Sequence, residues 1–132
     1  MKNLIVKPQR KFIIGSEWLY YNIYLGPQTA DKFLATILFP LADDLIKENV
    51  INKWFFIRYK DDYGLHLRVR FNLCNKHEIN IIITKFQELS LPLVENDLIS
   101  NLTANTYVRE IERYGIYTIV DFENLFFSAT AK

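Results

Sequence analysis

Arginine is the residue type in this sequence whose placement most clearly suggests chemistry. Arg58, Arg68 and Arg70 stand among large apolar side chains in FFIRYKDDYGLHLRVRF, residues 55–71. A guanidinium is costly to bury and is commonly held in place by an anion that it binds through paired hydrogen bonds. The stretch therefore suggests a binding site for a carboxylate or a phosphate.

A second group of arginines lies in TYVREIERYG, residues 106–115. In an extended segment Tyr107, Arg109, Ile111 and Arg113 share one side, and the intervening glutamates share the other. One interpretation is an edge strand whose charges compensate each other in ion pairs. The other interpretation adds Arg109 and Arg113 to the same anion site.

Strands must position both groups, and the hydrophobic pattern predicts them. Residues 16–25 are rich in aromatic and β-branched types and stop at a Gly-Pro turn. Residues 52–60 and 65–73 flank a turn in which Gly64 can adopt a positive φ. The region 98–112 predicts either one long strand or two short ones.

Helical spacing of apolar residues predicts three helices. The first starts at Thr29 as N-cap, and Pro40 is expected to kink or split it. The second covers residues 76–89 and ends before Pro92, and the last covers residues 118–129. The order βαββαβ plus a helix predicts an α+β, ferredoxin-like fold, an antiparallel sheet with helices on one face.

Alternation along the two hairpin strands predicts which side chains accompany the arginines. When Arg58 lies opposite Arg68, both apolar sets face the helices, whereas a register shifted by one residue would bury the charges. The predicted open face of the sheet then holds Arg58, Lys60, His66, Arg68, Arg70, Trp54 and Phe56. A solvated face with scattered ion pairs is the alternative, but no acid belongs to this cationic set.

Composition limits the possible functions. The chain has 132 residues, of which 50% are hydrophobic, and a net charge of +1, so we expect one domain over residues 1–132 and no broad cationic surface for nucleic acid. Cys74 is the single cysteine, which excludes an intrachain disulfide and a zinc site built from this chain's cysteines. No apolar run approaches a signal sequence or a membrane span, and a cytoplasmic location is the default expectation.

Three motifs in order resemble one known family. WFFIRYKD at 54–61, HLRVRF at 66–71 and TYVREIERYG at 106–115 resemble the C-terminal domain of lantibiotic dehydratases. That domain also occurs as a stand-alone protein of thiopeptide-type bacteriocin biosynthesis. The opening EWLYYNIY and the ending FENLFFSAT are similar to the same family, so the resemblance covers about residues 16–128.

The resemblance implies a lyase. The family's domain eliminates glutamate from glutamylated serine and threonine side chains of a precursor peptide and leaves dehydroamino acids, while related stand-alone members catalyse a cycloaddition that closes thiopeptide rings. Arg68 and Arg70 match the family's H-L-R-x-R arginines, and Arg109 matches the arginine of Y-x-R-E. These three are expected to hold the glutamyl group and promote its departure. The further expected substrate-binding residues are Arg58, Tyr107 and Arg113.

Elimination also needs a base that removes the α-proton. Arginine stays protonated, so His66 is the candidate base, with a structural or substrate-positioning role as the alternative. His77, at a predicted helix start, is expected to lie on the surface. Neither the residues nor the resemblance point to a metal ion or another cofactor.

The sequence departs from the family in two respects. The family's domain normally continues beyond the position of Lys132, and that further part contributes helices and a histidine linked to proton transfer. The usual glycine pair after E-R-Y is reduced to Gly115-Ile116. The chain is therefore expected to correspond to the N-terminal half of the domain, from a split gene, a truncation or a degenerate copy.

Three functions remain open. The first is a lyase, or a piece of one, that acts on a glutamylated precursor peptide; a fragment of a cycloaddition enzyme is a variant of it. The second is a non-catalytic module that binds a modified peptide or docks onto a partner chain carrying the missing half. The third is a homodimer that buries the open face, with the arginines paired to acids across the interface.

Overall fold

Aromatic and β-branched runs of the sequence form the sheet of this protein. The computed structural model describes residues 9–109 together with Glu123, Asn124 and Phe127. In chain order the elements are β1 (Lys11–Phe12), β2 (Trp18–Leu25), α1 (Pro27–Phe33), a π-helical stretch (Leu34–Leu38), α2 (Phe39–Lys47), β3 (Ile51–Asp61), β4 (Gly64–Leu73), a 3-10 helix (Lys76–Glu78), α3 (Ile79–Glu95), β5 (Ile99–Asn105) and β6 (Tyr107–Val108). The predicted α+β class is confirmed.

The main sheet has four strands in the order β3-β4-β2-β5, and every neighbouring pair is antiparallel. A helical run connects β2 to β3, and α3 connects β4 to β5. This arrangement is the ferredoxin-like one that the βαββαβ pattern predicts. A second, two-stranded sheet pairs β1 with β6.

Two helix boundaries differ from the prediction because proline acts differently at different positions. Helix α1 begins at Pro27, after Gly26 as N-cap, since a missing N–H is harmless in the first turn; the predicted N-cap Thr29 is wrong. Helix α3 includes Pro92 and continues to Glu95. The prediction that Pro92 ends the helix is wrong because the apolar stripe of α3 continues to pack on the sheet.

The interruption predicted near Pro40 is confirmed. The π-helical stretch directly precedes α2, in which Pro40 occupies the first turn. Proline has no N–H to donate to the carbonyl of Thr36 four residues earlier. Just before it, the N–H of Phe39 donates to the carbonyl of Leu34, five residues back, which is the π-helical hydrogen bond.

The β3–β4 hairpin adopts a register one residue away from the predicted one. Arg58 lies opposite Leu67, not opposite Arg68, so the predicted pairing is wrong. Strand β3 is apolar on both sides, and alternation alone therefore does not select its orientation. Trp54 settles it, because this buried ring packs edge-on against Phe39 of α2, with ring centroids 5.1 Å apart.

The register places four of the seven residues of the predicted open face on the helix side. Trp54, Phe56, Arg58 and Lys60 alternate toward the helices, so their assignment to the open face is wrong. Arg58 lies at the edge of that side, where its Nη2 donates to Oδ1 of Asp31 on α1 at 2.6 Å. Both side chains of this pair are exposed, at 45% and 70%.

Two hydrophobic clusters lie on the two sides of the sheet. The larger one packs the helices against β2, β3 and β4. The smaller one, here called the aromatic cluster, lies on the opposite side and consists of Phe12, Trp18, Tyr20, Phe55 and Tyr107. It joins β1 and β6 to the main sheet.

The region after α3 gives two short strands, one of the two predicted outcomes, as far as the structure describes it. Arg113 and most of the predicted helix at 118–129 lie outside the described residues; Glu123, Asn124 and Phe127 are helical. Within the described ranges, none of the helices is both long enough and apolar enough to span a membrane.

Candidate functional site

The open face is the side of the main sheet opposite the helices, and it carries both arginines of the HLRVR stretch. Directly paired residues of neighbouring strands share it. Its members are Trp18, Tyr20, Asn22 and Tyr24 of β2, Phe55, Ile57 and Tyr59 of β3, His66, Arg68, Arg70 and Asn72 of β4, and Asn101, Thr103 and Asn105 of β5. The aromatic cluster occupies one end of this face, and the hairpin turn borders the other.

Arg68 lies near the middle of the open face and is half-buried. Its Nε donates to Nε2 of His66 at 3.0 Å, and its guanidinium carbon lies 3.8 Å from the centre of the Tyr59 ring. Stacking on an aromatic face stabilises the cation and fixes its plane. Among the described residues no carboxylate forms an ion pair with Arg68. Its terminal N–H groups are therefore not used in an ion pair within the described part of the chain.

His66 lies beneath this guanidinium with a side chain that is completely buried, at 0% exposure. Its Nδ1 is 3.2 Å from the carbonyl oxygen of Gly64, and its ring stacks on Tyr24 at 4.3 Å. A carbonyl only accepts, so Nδ1 carries the hydrogen and Nε2 holds the lone pair that receives the Arg68 Nε–H. That lone pair is already engaged in a hydrogen bond.

The hairpin end next to His66 is braced by Asp61. The Tyr24 hydroxyl donates to Oδ2 of Asp61 at 2.8 Å, and the backbone N–H of Tyr63 donates to Oδ1 at 2.9 Å. Partial desolvation works to raise the pKa of Asp61, but the hydrogen bonds from Tyr24, Tyr63 and Gly64, together with the nearby His66, outweigh it and lower that pKa. The carboxylate thus stays charged and anchors Tyr24.

Arg70 lies on the same face but belongs to the aromatic cluster. It is only 9% exposed, and its guanidinium carbon lies 4.6 Å from the ring centre of Tyr20 and 5.1 Å from those of Phe55 and Tyr107. Three ring faces around one cation favour its burial. Arg68 and Arg70 therefore share one face but differ in access: the first is presented to solvent, and the second is enclosed by rings.

Arg109 is committed to an internal ion pair. Its Nε and Nη2 donate to the two carboxylate oxygens of Glu123, each at 2.9 Å, and its Nη1 donates to the Gln9 carbonyl at 3.0 Å. The Tyr107 hydroxyl donates to Glu123 as well, at 2.6 Å, and Phe12 lies under the guanidinium at 4.7 Å. Arg109 is 8% exposed and Glu123 is 1% exposed.

Arg109, Glu123 and Tyr107 form a triad whose charges affect the pKa values of Tyr107 itself and of the nearby Lys53. Burial, and then the charge and hydrogen bond of Glu123, raises the pKa of the Tyr107 hydroxyl. Burial also lowers the pKa of Lys53. The charge of Glu123 works to raise this pKa, and the charge of Arg109 lowers it further. The amine of Lys53 donates to Asn124 at 2.8 Å, beside the triad. The group ties β1, β3 and β6 to the segment that contains Glu123.

The structure thus brings together part of the predicted site. Arg68, Arg70 and His66 share the open face, and Tyr107 contacts Arg70 from β6. Arg58 lies on the other side, and Arg113 is outside the described residues. The sequence analysis did not identify Glu123. Its signal is an acid within the apolar run FENLFF, since a carboxylate in such a run is seldom buried without a partner.

A groove in the described part of the chain lies away from these arginines. It has a volume of about 360 Å³ and runs between α1 and the C-terminal end of α3. Its lining consists of Gln28, Thr29, Lys32, Phe33, Thr36, Ile37, Leu93 and Leu98. We place the candidate site on the open face nevertheless, because the groove is mainly apolar and Lys32 is the single charged residue among its described lining residues.

The fold and the site define a ferredoxin-like α+β protein with a half-buried, stacked guanidinium, that of Arg68, on the open face of its sheet. The family profile described as "Lantibiotic biosynthesis dehydratase C-term" matches residues 18–131. The chain belongs to this family, as the resemblance predicted.

Relatives agree with the family match. The chain is 26% identical to nisin biosynthesis protein NisB of Lactococcus lactis subsp. lactis over 94% of its own length and 12% of that protein. It is 31% identical to subtilin biosynthesis protein SpaB of Bacillus subtilis, over 88% of this chain and 11% of that one. The chain thus spans about an eighth or less of these relatives.

A solved structure shows the same fold. The crystal structure of the tRNA dependent lantibiotic dehydratase MibB from Microbispora sp. 107891 superposes with a TM-score of 0.68 and 31% sequence identity. The match covers 89% of this chain and 11% of that one.

Proposed function

We propose that this chain takes part in lantibiotic or thiopeptide biosynthesis and helps to eliminate glutamate from glutamylated serine or threonine of a precursor peptide. The observation that carries the proposal is Arg68, a guanidinium that the fold itself orients on the open face and does not neutralise with a carboxylate among the described residues. It lies in the HLRVR stretch on which the family resemblance rests. Membership of the dehydratase family supports this assignment.

The reaction needs what a guanidinium supplies. A base removes the α-proton, the electron pair forms the Cα–Cβ double bond, and the Cβ–O bond breaks as the glutamate carboxylate leaves. Arg68 donates hydrogen bonds to the glutamyl ester, and these bonds strengthen as negative charge develops on the departing carboxylate. Arg70 adds positive potential from the same face without direct access. Asn22 and Asn105 are polar neighbours of this region on β2 and β5.

Three of the predicted site residues have other tasks in this function, or tasks that remain proposed. Arg109 supports the site by holding β6, whose Tyr107 covers Arg70, and does not itself hold substrate. The predicted role of Arg58 in binding substrate is replaced by its ion pair with α1. For Arg113, which lies outside the described residues, substrate binding remains a proposal.

A second function is favoured by one observation. The lone pair of His66 is engaged by Arg68, so the open face presents a carboxylate site without a free imidazole base beside it. A module that binds the glutamylated peptide, while the base comes from another part of the assembly, fits this arrangement. We propose that the chain forms one folded domain. We also propose that its binding partner is a modified precursor peptide, and a partner chain or a second copy of this chain are further candidate partners.

Incubation of the chain with a glutamylated peptide, alone and with neighbouring-gene products, tests the two functions. Mass spectrometry is expected to show loss of glutamate and a dehydroamino acid. Arg68→Ala should slow this loss by about 10²–10³-fold, whereas Arg58→Ala, on the opposite side, should keep the wild-type rate. Peptide binding without turnover in any mixture would support the binding module. Equal rates for both variants would contradict the role of Arg68.

A further inference from the structure

We propose that His66 is a positioning residue for Arg68 and not the base of the reaction. This inference rests on the proposed function for its biological meaning, because it assigns a task within the same anion site. The positioning itself involves only the side chains of His66 and Arg68. It depends on the direction of their hydrogen bond, in which Nε of Arg68 donates to Nε2 of His66.

The backbone fixes the tautomer of His66. Nδ1 lies 3.2 Å from the Gly64 carbonyl, which has no hydrogen to donate, so the ring must donate there. Nε2 is then an acceptor, which is the form that an arginine N–H requires. Gly64 itself adopts a φ of +117°, a conformation that brings its carbonyl to this position at the start of β4.

Rings hold the imidazole on two sides. Tyr24 of β2 stacks on it at 4.3 Å, and Tyr59 of β3 meets it edge-on at 5.7 Å. Tyr24 is in turn anchored by Asp61, the acid that faces this end of the sheet. Rotation of the imidazole is therefore blocked by groups from three strands, and Nε2 points toward Arg68.

Arg68 is consequently held at one edge and one face by side chains of its own fold. His66 takes its Nε–H, and Tyr59 lies over the guanidinium at 3.8 Å. The terminal nitrogens remain as a fork for a carboxylate. A long side chain that is ordered in advance loses less conformational entropy on binding, which amounts to about a tenfold gain in affinity.

A base role conflicts with this arrangement. To take a proton from the peptide, Nε2 would have to release the Nε–H of Arg68. The resulting imidazolium would then direct an N–H, with its positive charge, at the guanidinium 3.0 Å away. The side chain is also completely buried, so a peptide has no direct path to it.

Two substitutions of His66 separate the roles. In His66→Gln the side-chain amide oxygen can take the place of Nε2 as acceptor for Arg68, but an amide is not a base. In His66→Phe the ring against Tyr24 is kept and the acceptor is lost. The matched control is the chain's other histidine, His77, which is exposed, changed to Gln and to Phe.

The first measurement is calorimetric binding of free glutamate to the 132-residue chain. We expect His66→Gln to stay within about threefold of the wild type and His66→Phe to bind about tenfold more weakly. Adding His66→Phe to Arg68→Ala should produce no further loss, because the histidine acts through the arginine. Additive losses in the double variant would contradict the positioning role.

The second measurement is the rate of glutamate loss from the peptide. Near wild-type turnover of His66→Gln supports positioning, whereas loss of turnover with unchanged glutamate affinity identifies His66 as the base. A wild type that binds glutamate but eliminates nothing would refute the proposed lyase. The glutamate affinities of His66→Phe, Arg68→Ala and the double variant would then decide the role of His66.

A third measurement needs neither ligand nor turnover. In NMR spectra the Arg68 Nε–H should be protected from exchange in the wild type and in His66→Gln, and exposed to exchange in His66→Phe. An unprotected Nε–H in the wild type would overturn the inference.

Discussion

Three arginines of the predicted site have different roles because their surroundings differ. Arg68 is stacked and half-buried, Arg70 is enclosed by three rings, and Arg109 is bidentate to Glu123. Only the first of these offers terminal N–H groups at an accessible surface. The second supplies potential, and the third holds the covering strand β6.

The Arg109–Glu123 pair predicts a large loss of stability when one partner is removed. Glu123→Gln keeps the shape but leaves the buried guanidinium without a compensating charge. We expect the free energy of unfolding to fall by about 3 kcal/mol or more, measured by urea denaturation. Asp31→Asn removes the partner of the exposed Arg58 and should change the same quantity by less than about 1 kcal/mol. Similar losses in the two variants would show that burial does not govern these ion pairs.

At the scale of elements, the hairpin turn connects the fold to the site. Gly64 has the positive φ that the sequence predicted, and a Cβ built on it would meet nothing within 4 Å. The preference for glycine here is therefore a matter of backbone conformation alone. The same residue receives the Nδ1–H of His66.

Gly64→Ala should therefore destabilise the hairpin and weaken the site together. We expect the free energy of unfolding to fall by about 1–2 kcal/mol, because an alanine resists a positive φ, and glutamate binding to weaken as the carbonyl moves. Asparagine tolerates a positive φ better than alanine, so Gly64→Asn should lose less stability and less glutamate affinity. Thermal unfolding measures the stability of the two variants, and calorimetric titration measures their glutamate affinity. An alanine variant with unchanged stability would refute the conformational argument.

Local sequence signals predicted most of the elements and part of the site. The alternation of β4 put His66, Arg68 and Arg70 on one face because its other face is uniformly apolar. The predicted register of β3 is one residue off because Phe55 and Ile57 are as apolar as Trp54 and Phe56, so the orientation of this strand depends on contacts with α2. The predicted end of α3 is wrong for a similar reason, since packing outweighs the effect of one proline.

The acid in FENLFF is a local signal for a buried carboxylate, but no local signal identifies Arg109 as its partner. Glu123 is 14 residues away along the chain, and the helical segment that carries it reaches Arg109 only in the folded molecule. The sequence pattern offered nearer acids in the EIE stretch as candidates. Contacts of this range come from the arrangement of elements, which periodicity does not encode.

The whole molecule has a core on each side of its sheet, and each core buries a tyrosine with a shifted pKa. Burial raises the pKa of Tyr21, which stacks on Phe86 at 4.3 Å beneath the helices, to about 12. Burial and Glu123 raise the pKa of Tyr107 in the aromatic cluster on the opposite side. The two sides of the sheet should therefore respond alike to alkali.

Both shifts predict that the fold weakens in alkali. The ordinary tyrosine pKa is 10.0, so above that pH the unfolded chain loses protons that the folded chain keeps. The stabilisation is complete below about pH 10 and declines as the pH rises toward 12, by up to about 1.4 kcal/mol per pH unit for each tyrosine. Urea denaturation at several pH values should give this slope for the wild type and a shallower one for Tyr21→Phe. Tyr63 is 88% exposed, and Tyr63→Phe should retain the wild-type slope. If both variants gave the wild-type slope, the burial of Tyr21 would not be coupled to alkaline unfolding.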